Sequence, residues 1–329
     1  MPHCPQSPLV ACRDFGYLCR MRIIFMGTPE FAVPSLQILH ESAEHEVVGV
    51  VTAPDRPAGR GRKLKASAIK AYAASQDLAL FQPEKLRNPD FIEALTDLKP
   101  DLMVVVAFRM LPKVVWQIPT HGTFNLHASL LPDYRGAAPI NWVIINGETE
   151  TGLTTFLIDD KIDTGSILLQ ERTDIPSDWK AGDLHDHMMG IGANLVLQTV
   201  HGLAQGELEA KPQDDSLYKN SAPKIHKEDC RIDWNQPVEQ VYNHIRGLSP
   251  YPAAWTTLEG QNCKILAASR IQEEAKPVPG TIRLIDQEQM LVACQDGWLA
   301  IQHLQLAGKK RMSTADFLRG YKEEIKQFS

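Results

Sequence analysis

Five short apolar runs, Arg22 to Met26, Val47 to Thr52, Leu78 to Phe81, Leu102 to Ala107 and Thr123 to His127, alternate with stretches of helical periodicity such as Ala66 to Ser75 and Pro89 to Leu98. That alternation constrains the chain to a mostly parallel sheet. Parallel neighbours need a crossover between them, and a helix lying on the sheet face is the usual one. After the first run, Gly27 predicts a turn, and Thr28-Pro29-Glu30 predicts a helix start with a hydroxyl at the cap, proline at the first helical position and an acid in the first turn. The expected fold of this part is α/β, with a parallel, doubly wound sheet.

The pattern changes beyond Thr151. Thr154 to Ile158 and Ser166 to Gln170 predict two strands around a loop holding Asp163, and Asp183 to Leu203 predicts one long helix. This places a first domain at 21–208 and a polar linker at 209–227. Residues 228–329 carry short strand candidates at Cys263 to Ala267, Gly280 to Ile285, Met290 to Ala293 and Trp298 to Leu304, which predict a small C-terminal β-barrel. Residues 1–20 lack periodicity and are expected to be a disordered N-terminal extension.

A chain of 329 residues, 43% of them apolar, has room for two cores. No apolar run approaches the roughly 20 residues that span a bilayer, so a cytoplasmic protein is expected. Cys4, Cys12 and Cys19 lie in the extension, while Cys230, Cys263 and Cys294 are widely spaced; this usage implies neither a disulfide framework nor a metal site. The net charge of −6 carries no global signal for nucleic acid, so such a partner would have to be held by a local patch.

Chemistry concentrates at Asn125-Leu126-His127-Ala128-Ser129-Leu130-Leu131-Pro132. In a strand, Asn125 and His127 project from the same face, at the carboxyl end where α/β sheets bind ligands. An amide and an imidazole there can hold a developing oxyanion and exchange a proton, which suits attack of an amine on a carbonyl. Asp163, 36 residues beyond His127, supplies a carboxylate able to orient the ring. An ordinary strand-end histidine and an ordinary turn aspartate fit the same spacing. Pro54 to Lys65 adds five cations, Arg56, Arg60, Arg62, Lys63 and Lys65, among glycines. Such a loop reaches phosphates, or is simply a solvated surface loop.

Together, the segment from Asn125 through Arg135-Gly136-Ala137-Ala138-Pro139-Ile140, Ile162-Asp163-Thr164-Gly165, the opening Ile24-Phe25-Met26-Gly27-Thr28-Pro29-Glu30-Phe31 and the later Arg231-Ile232-Asp233-Trp234 closely resemble the folate-dependent formyltransferases, from about residue 22 to about 320. Within that family the chain resembles the members that act on charged initiator tRNA. The resemblance implies a Rossmann-like domain taking 10-formyltetrahydrofolate as formyl donor, an OB-like C-terminal barrel that helps bind tRNA, and no metal. By the same resemblance Asn125, His127 and Asp163 are the catalytic positions, and Ser129, Leu130, Leu131 and Pro132 contact the folate. The cations at 56–65 match an insertion that reaches the acceptor stem and that members acting on small amines generally lack. One departure is Ala107-Phe108-Arg109-Met110-Leu111-Pro112, one residue shorter than in many relatives and without their glycine, in a loop expected to line the pterin pocket. A dinucleotide-dependent dehydrogenase is disfavoured because the glycine fingerprint for pyrophosphate is missing. A non-catalytic RNA-binding protein would have no use for Asn125, His127 and Asp163 together. A monomer is expected.

Overall fold

The computed structural model describes residues 20–58, 63–273, 278–286, 288–321 and 327–328. The extension up to residue 19, with Cys4, Cys12 and Cys19, lies outside the described residues, as do Arg60 and Arg62.

The elements up to His127 are β1 (Arg22–Gly27), α1 (Val33–Glu41), β2 (Glu46–Val51), β3 (Arg56–Ala58), β4 (Lys63–Lys65), α2 (Ala68–Ser75), β5 (Leu80–Phe81), α3 (Pro89–Asp97), β6 (Leu102–Val106), α4 (Lys113–Trp116) and β7 (Thr123–His127). Next come β8 (Arg135–Gly136), α5 (Pro139–Ile145), β9 (Glu150–Leu157), β10 (Ile167–Asp174) and α6 (Ala181–Gln205). A seven-stranded sheet runs in the order β10-β9-β7-β6-β1-β2-β5. Its β5, β2, β1, β6 and β7 are parallel, and β9 is antiparallel to β7. Strand order reverses about β1, and sheets of this topology bind ligands at the carboxyl ends of the strands beside such a reversal. Every residue of β6 is buried, because helices cover both faces. At Gly27 the chain passes so close to Ala32 that an added Cβ would lie 2.7 Å from the Ala32 Cβ.

The first helix departs from expectation. Pro29, with no side-chain cap, opens a 3₁₀ turn at Glu30–Ala32, and α1 begins only at Val33. Pro34 is the reason: without an N–H it cannot close an α-type bond to Glu30, so the preceding turn is held by the tighter bond from Ala32 N to Pro29 O at 3.1 Å. Asn88 caps α3, its side chain accepting from the Asp90 N–H. The cationic stretch also differs from a plain loop, since β3 and β4 pair antiparallel with Arg56 opposite Lys65.

The later elements are β11 (Ser221–Ala222), α7 (Val238–Gly247), β12 (Ala254–Leu258), β13 (Gln261–Ile271), β14 (Ile282–Ile285), β15 (Gln289–Ala293), β16 (Trp298–Leu306), β17 (Met312–Ser313) and α8 (Thr314–Gly320). Six of these strands form an antiparallel sheet ordered β12-β13-β16-β15-β14, with β17 on β16. Phe328 bridges to Leu258 at the end of β12, and Gln327 to Thr281 beside β14, so the C-terminal segment joins the two edges into a barrel-like closure. Phe328 itself is buried and stacks on Trp234 with ring centroids 5.7 Å apart. Strand β12 and helix α7 are not among the elements expected from the sequence, although Val238, Val241, Tyr242 and Ile245 fall at helical spacing.

By packing, the chain divides into two compact units that do not follow sequence order. One holds the described residues up to Asp133 with Gly152–Arg172 and His187–Tyr218; the other holds Tyr134–Thr151, Thr173–Asp186 and the described residues from Lys219.

Candidate active site

Strand β7 is held by β6 on one side and β9 on the other, with Asn125 opposite Phe156 and His127 opposite Thr154. Alternation puts Asn125 and His127 on one face, as their spacing predicts. His127 is only 6% exposed, and Phe156 meets its ring edge-on at 6.5 Å. A ring so enclosed has a restricted orientation, which a directional proton carrier needs.

Asp163 comes to this ring from the β9–β10 connection. Its Oδ2 stands 3.9 Å from His127 Nδ1, with both side chains largely buried. Several features bend the loop into place. Asp163 has a left-handed backbone (φ 54°), a conformation aspartate tolerates better than most residues. Gly165 packs against the Leu157 carbonyl so closely that any Cβ there would collide with it. The Gln213 amide donates to the carbonyls of Asp163 and Gly165, both at 2.9 Å, and Asp159 accepts from the Lys161 N–H and the Thr164 hydroxyl. None of Phe156, Asp159 or Gln213 was singled out from the sequence, since each acts by where it packs.

Beyond His127 the chain turns away through Ser129 to Pro132. The Ser129 hydroxyl donates to the Asp133 carbonyl at 2.6 Å. Thr154, buried on β9, donates to the Ser129 carbonyl and accepts from the Leu131 N–H, while Gln170 donates to the Leu131 carbonyl. The turn, with its cis Leu131-Pro132 bond, is therefore fixed by side chains of β9 and β10.

The departing segment at 107–112 leaves β6 through a left-handed Ala107 (φ 47°). Arg109 donates to the Glu84 and Pro83 carbonyls and lies over the Phe108 ring at 5.6 Å. Burial, then the neighbouring charge of Arg56, lowers the Arg109 guanidinium pKa from its ordinary value. Arg109 thus fastens this segment to the chain after β5, and Met110 projects outward, 71% exposed. At the base of the β3–β4 pair, Asp55 accepts from Lys70 at 2.6 Å and from Gln82 at 3.0 Å. Arg56 and Lys65 are exposed there.

A strand-end amide, an enclosed imidazole beside a carboxylate, and an ordered turn next to them are a set suited to acyl transfer onto an amine. The family model for formyl transferase matches residues 21–200, and that for the formyl transferase C-terminal domain matches residues 224–322. This chain belongs to the formyltransferase family. Among curated relatives of this formyltransferase, the methionyl-tRNA formyltransferase of Bacteroides fragilis is 50% identical over 92% of the present chain and 95% of its own. That of Parabacteroides distasonis is 51% identical over 92% and 96%. Among solved structures, HypX from Aquifex aeolicus in complex with tetrahydrofolic acid superposes with a TM-score of 0.63 at 20% identity, covering 94% of this chain and 51% of HypX. At that identity the likeness is one of fold. Among the described residues, no helix is long and apolar enough to cross a membrane.

Proposed function

We propose that this formyltransferase moves the formyl group of 10-formyltetrahydrofolate to the α-amine of charged initiator methionyl-tRNA. The observation that carries the reading is the enclosed His127, 3.9 Å from Asp163 and sharing a strand face with Asn125. The names of relatives at about half identity over nearly the whole chain support the choice of substrates.

The amine nitrogen adds to the formyl carbon, and Asn125 and His127 hydrogen-bond the oxygen that gains charge. Asp163 orients the His127 ring and supports transfer of the proton that the amine loses. As the bond from the formyl carbon to the donor nitrogen breaks, that nitrogen takes up a proton, so the transfer balances without a covalent enzyme intermediate. Ser129, Leu130, Leu131 and Pro132 form the wall against the folate, in a turn fixed by Thr154 and Gln170. Arg56, Arg60, Arg62, Lys63 and Lys65 hold phosphates of the tRNA acceptor stem. Charged tRNA is a cytoplasmic substrate, and we place the enzyme there, acting as a monomer.

The test is formyl transfer from 10-formyltetrahydrofolate to charged initiator tRNA, with uncharged tRNA, charged elongator tRNA and a panel of small amines alongside. Rapid transfer to the charged initiator alone is expected. Transfer to small amines with tRNA ignored would sink the tRNA assignment and leave the chemistry standing.

A further inference from the structure

His45 occupies the turn between α1 and β2. It is 3% exposed, and both ring nitrogens are buried without a hydrogen-bond partner. A buried polar group left unsatisfied is costly, and a bound partner would remove that cost. His201, near the end of α6, brings its ring centroid to 4.8 Å from that of His45, at 52° between planes. Its Nε2 stands 2.8 Å from Glu44 Oε2 yet outside hydrogen-bond alignment. One ligand atom from each of Glu44, His45 and His201 falls within 4.8 Å of the others.

We propose that Glu44, His45 and His201 bind a divalent transition-metal ion of the zinc class. Two imidazoles and one carboxylate are the donor set that borderline ions take, whereas magnesium and calcium favour all-oxygen shells. Bonds of about 2.0–2.2 Å to a shared tetrahedral ion put its ligand atoms about 3.3–3.5 Å apart, so His45 has to draw in while His201 and Glu44, now 2.8 Å apart, part slightly by side-chain rotation. Glu44 and His201 are part-exposed as side chains, whereas the His201 Nε2 and both His45 ring nitrogens are buried. The ligands lie far apart in the sequence, which is why motif spacing gives no sign of them. His45 immediately precedes β2, at the amino ends of the parallel strands, whereas His127 ends β7 at the carboxyl ends. A strand of five or six residues is about 17–20 Å long, so this ion is remote from the reacting atoms. It clips the α1–β2 turn to α6.

The experiment uses the full-length protein stripped with a chelator. Zinc chloride is titrated calorimetrically at neutral pH, cobalt(II) is followed by its visible absorption, and thermal unfolding is recorded with and without zinc. One saturable equivalent, a cobalt spectrum of low-coordinate type and a raised Tm are expected. His201→Ala and Glu44→Gln, at part-exposed positions where the fold tolerates change, should each weaken binding at least about tenfold. No saturable binding, or unchanged affinity in both variants, would overturn the proposal.

Discussion

Strands β6 and β12 have five residues each and are buried in opposite styles. Every residue of β6 is enclosed, whereas β12 alternates between buried and partly exposed positions. The first belongs to a parallel sheet covered on both faces, the second to an antiparallel sheet with one covered face. This difference extends to what each region offers chemically. The covered parallel sheet leaves its polar business to strand ends, where Asn125 and His127 stand. In the antiparallel region, Trp234 belongs to the buried core, and its indole stacks on Phe328 and donates to the Thr256 hydroxyl at 3.0 Å.

If chemistry and stability are divided in this way, substitutions in the two regions should separate them. His127→Ala should lower formyl transfer by about 10²–10⁴-fold, the usual contribution of a positioned proton carrier, with a fall in the unfolding midpoint smaller than that caused by Trp234→Ala. Single-turnover transfer and calorimetry on the same preparation check both halves, and a large fall in Tm would break the comparison. Trp234→Ala should do the reverse in the C-terminal region, costing about 3–5 kcal/mol of its stability by denaturant unfolding.

Burial of the thiols sharpens the contrast at high pH. Cys263 and Cys294 are each pushed up to about 12 from 9.0, chiefly by desolvation. Folded-state values above the unfolded ones give stability that is complete below pH 9 and is lost as pH rises toward 12, with a slope of up to about 1.4 kcal/mol per pH unit per thiol. Urea unfolding across that range should show the loss, and Cys263→Ala with Cys294→Ala should flatten it. The smallest effect belongs to Arg56→Ala, which should weaken tRNA binding modestly and reduce the slope of log K against log salt by about 0.9. An unchanged slope would remove Arg56 from the phosphate contacts.

The legibility of the two regions also differed. Runs such as Leu102 to Ala107 are unbroken by polar residues, so strand and parallel class were readable together. In the C-terminal region, β13 was legible only over Cys263 to Ala267, because the polar pairs Gln261-Asn262 and Ser269-Arg270 flank its apolar centre. The start of α1 was misread because a threonine before a proline looks like a cap, while the deciding residue, Pro34, lies six positions later.

The sequence by itself determined the covered sheet, the shared face of Asn125 and His127, and the family, since strand alternation and motif identity are local properties of the chain. Only the tertiary structure decided the rest. It brought Asp163 to 3.9 Å from His127, through a left-handed turn, a glycine against the Leu157 carbonyl and the Gln213 amide. Folding also tied Arg109 to the carbonyls after β5 and gathered Glu44, His45 and His201. These approaches depend on how separate segments close in space, and a one-dimensional pattern does not record those distances.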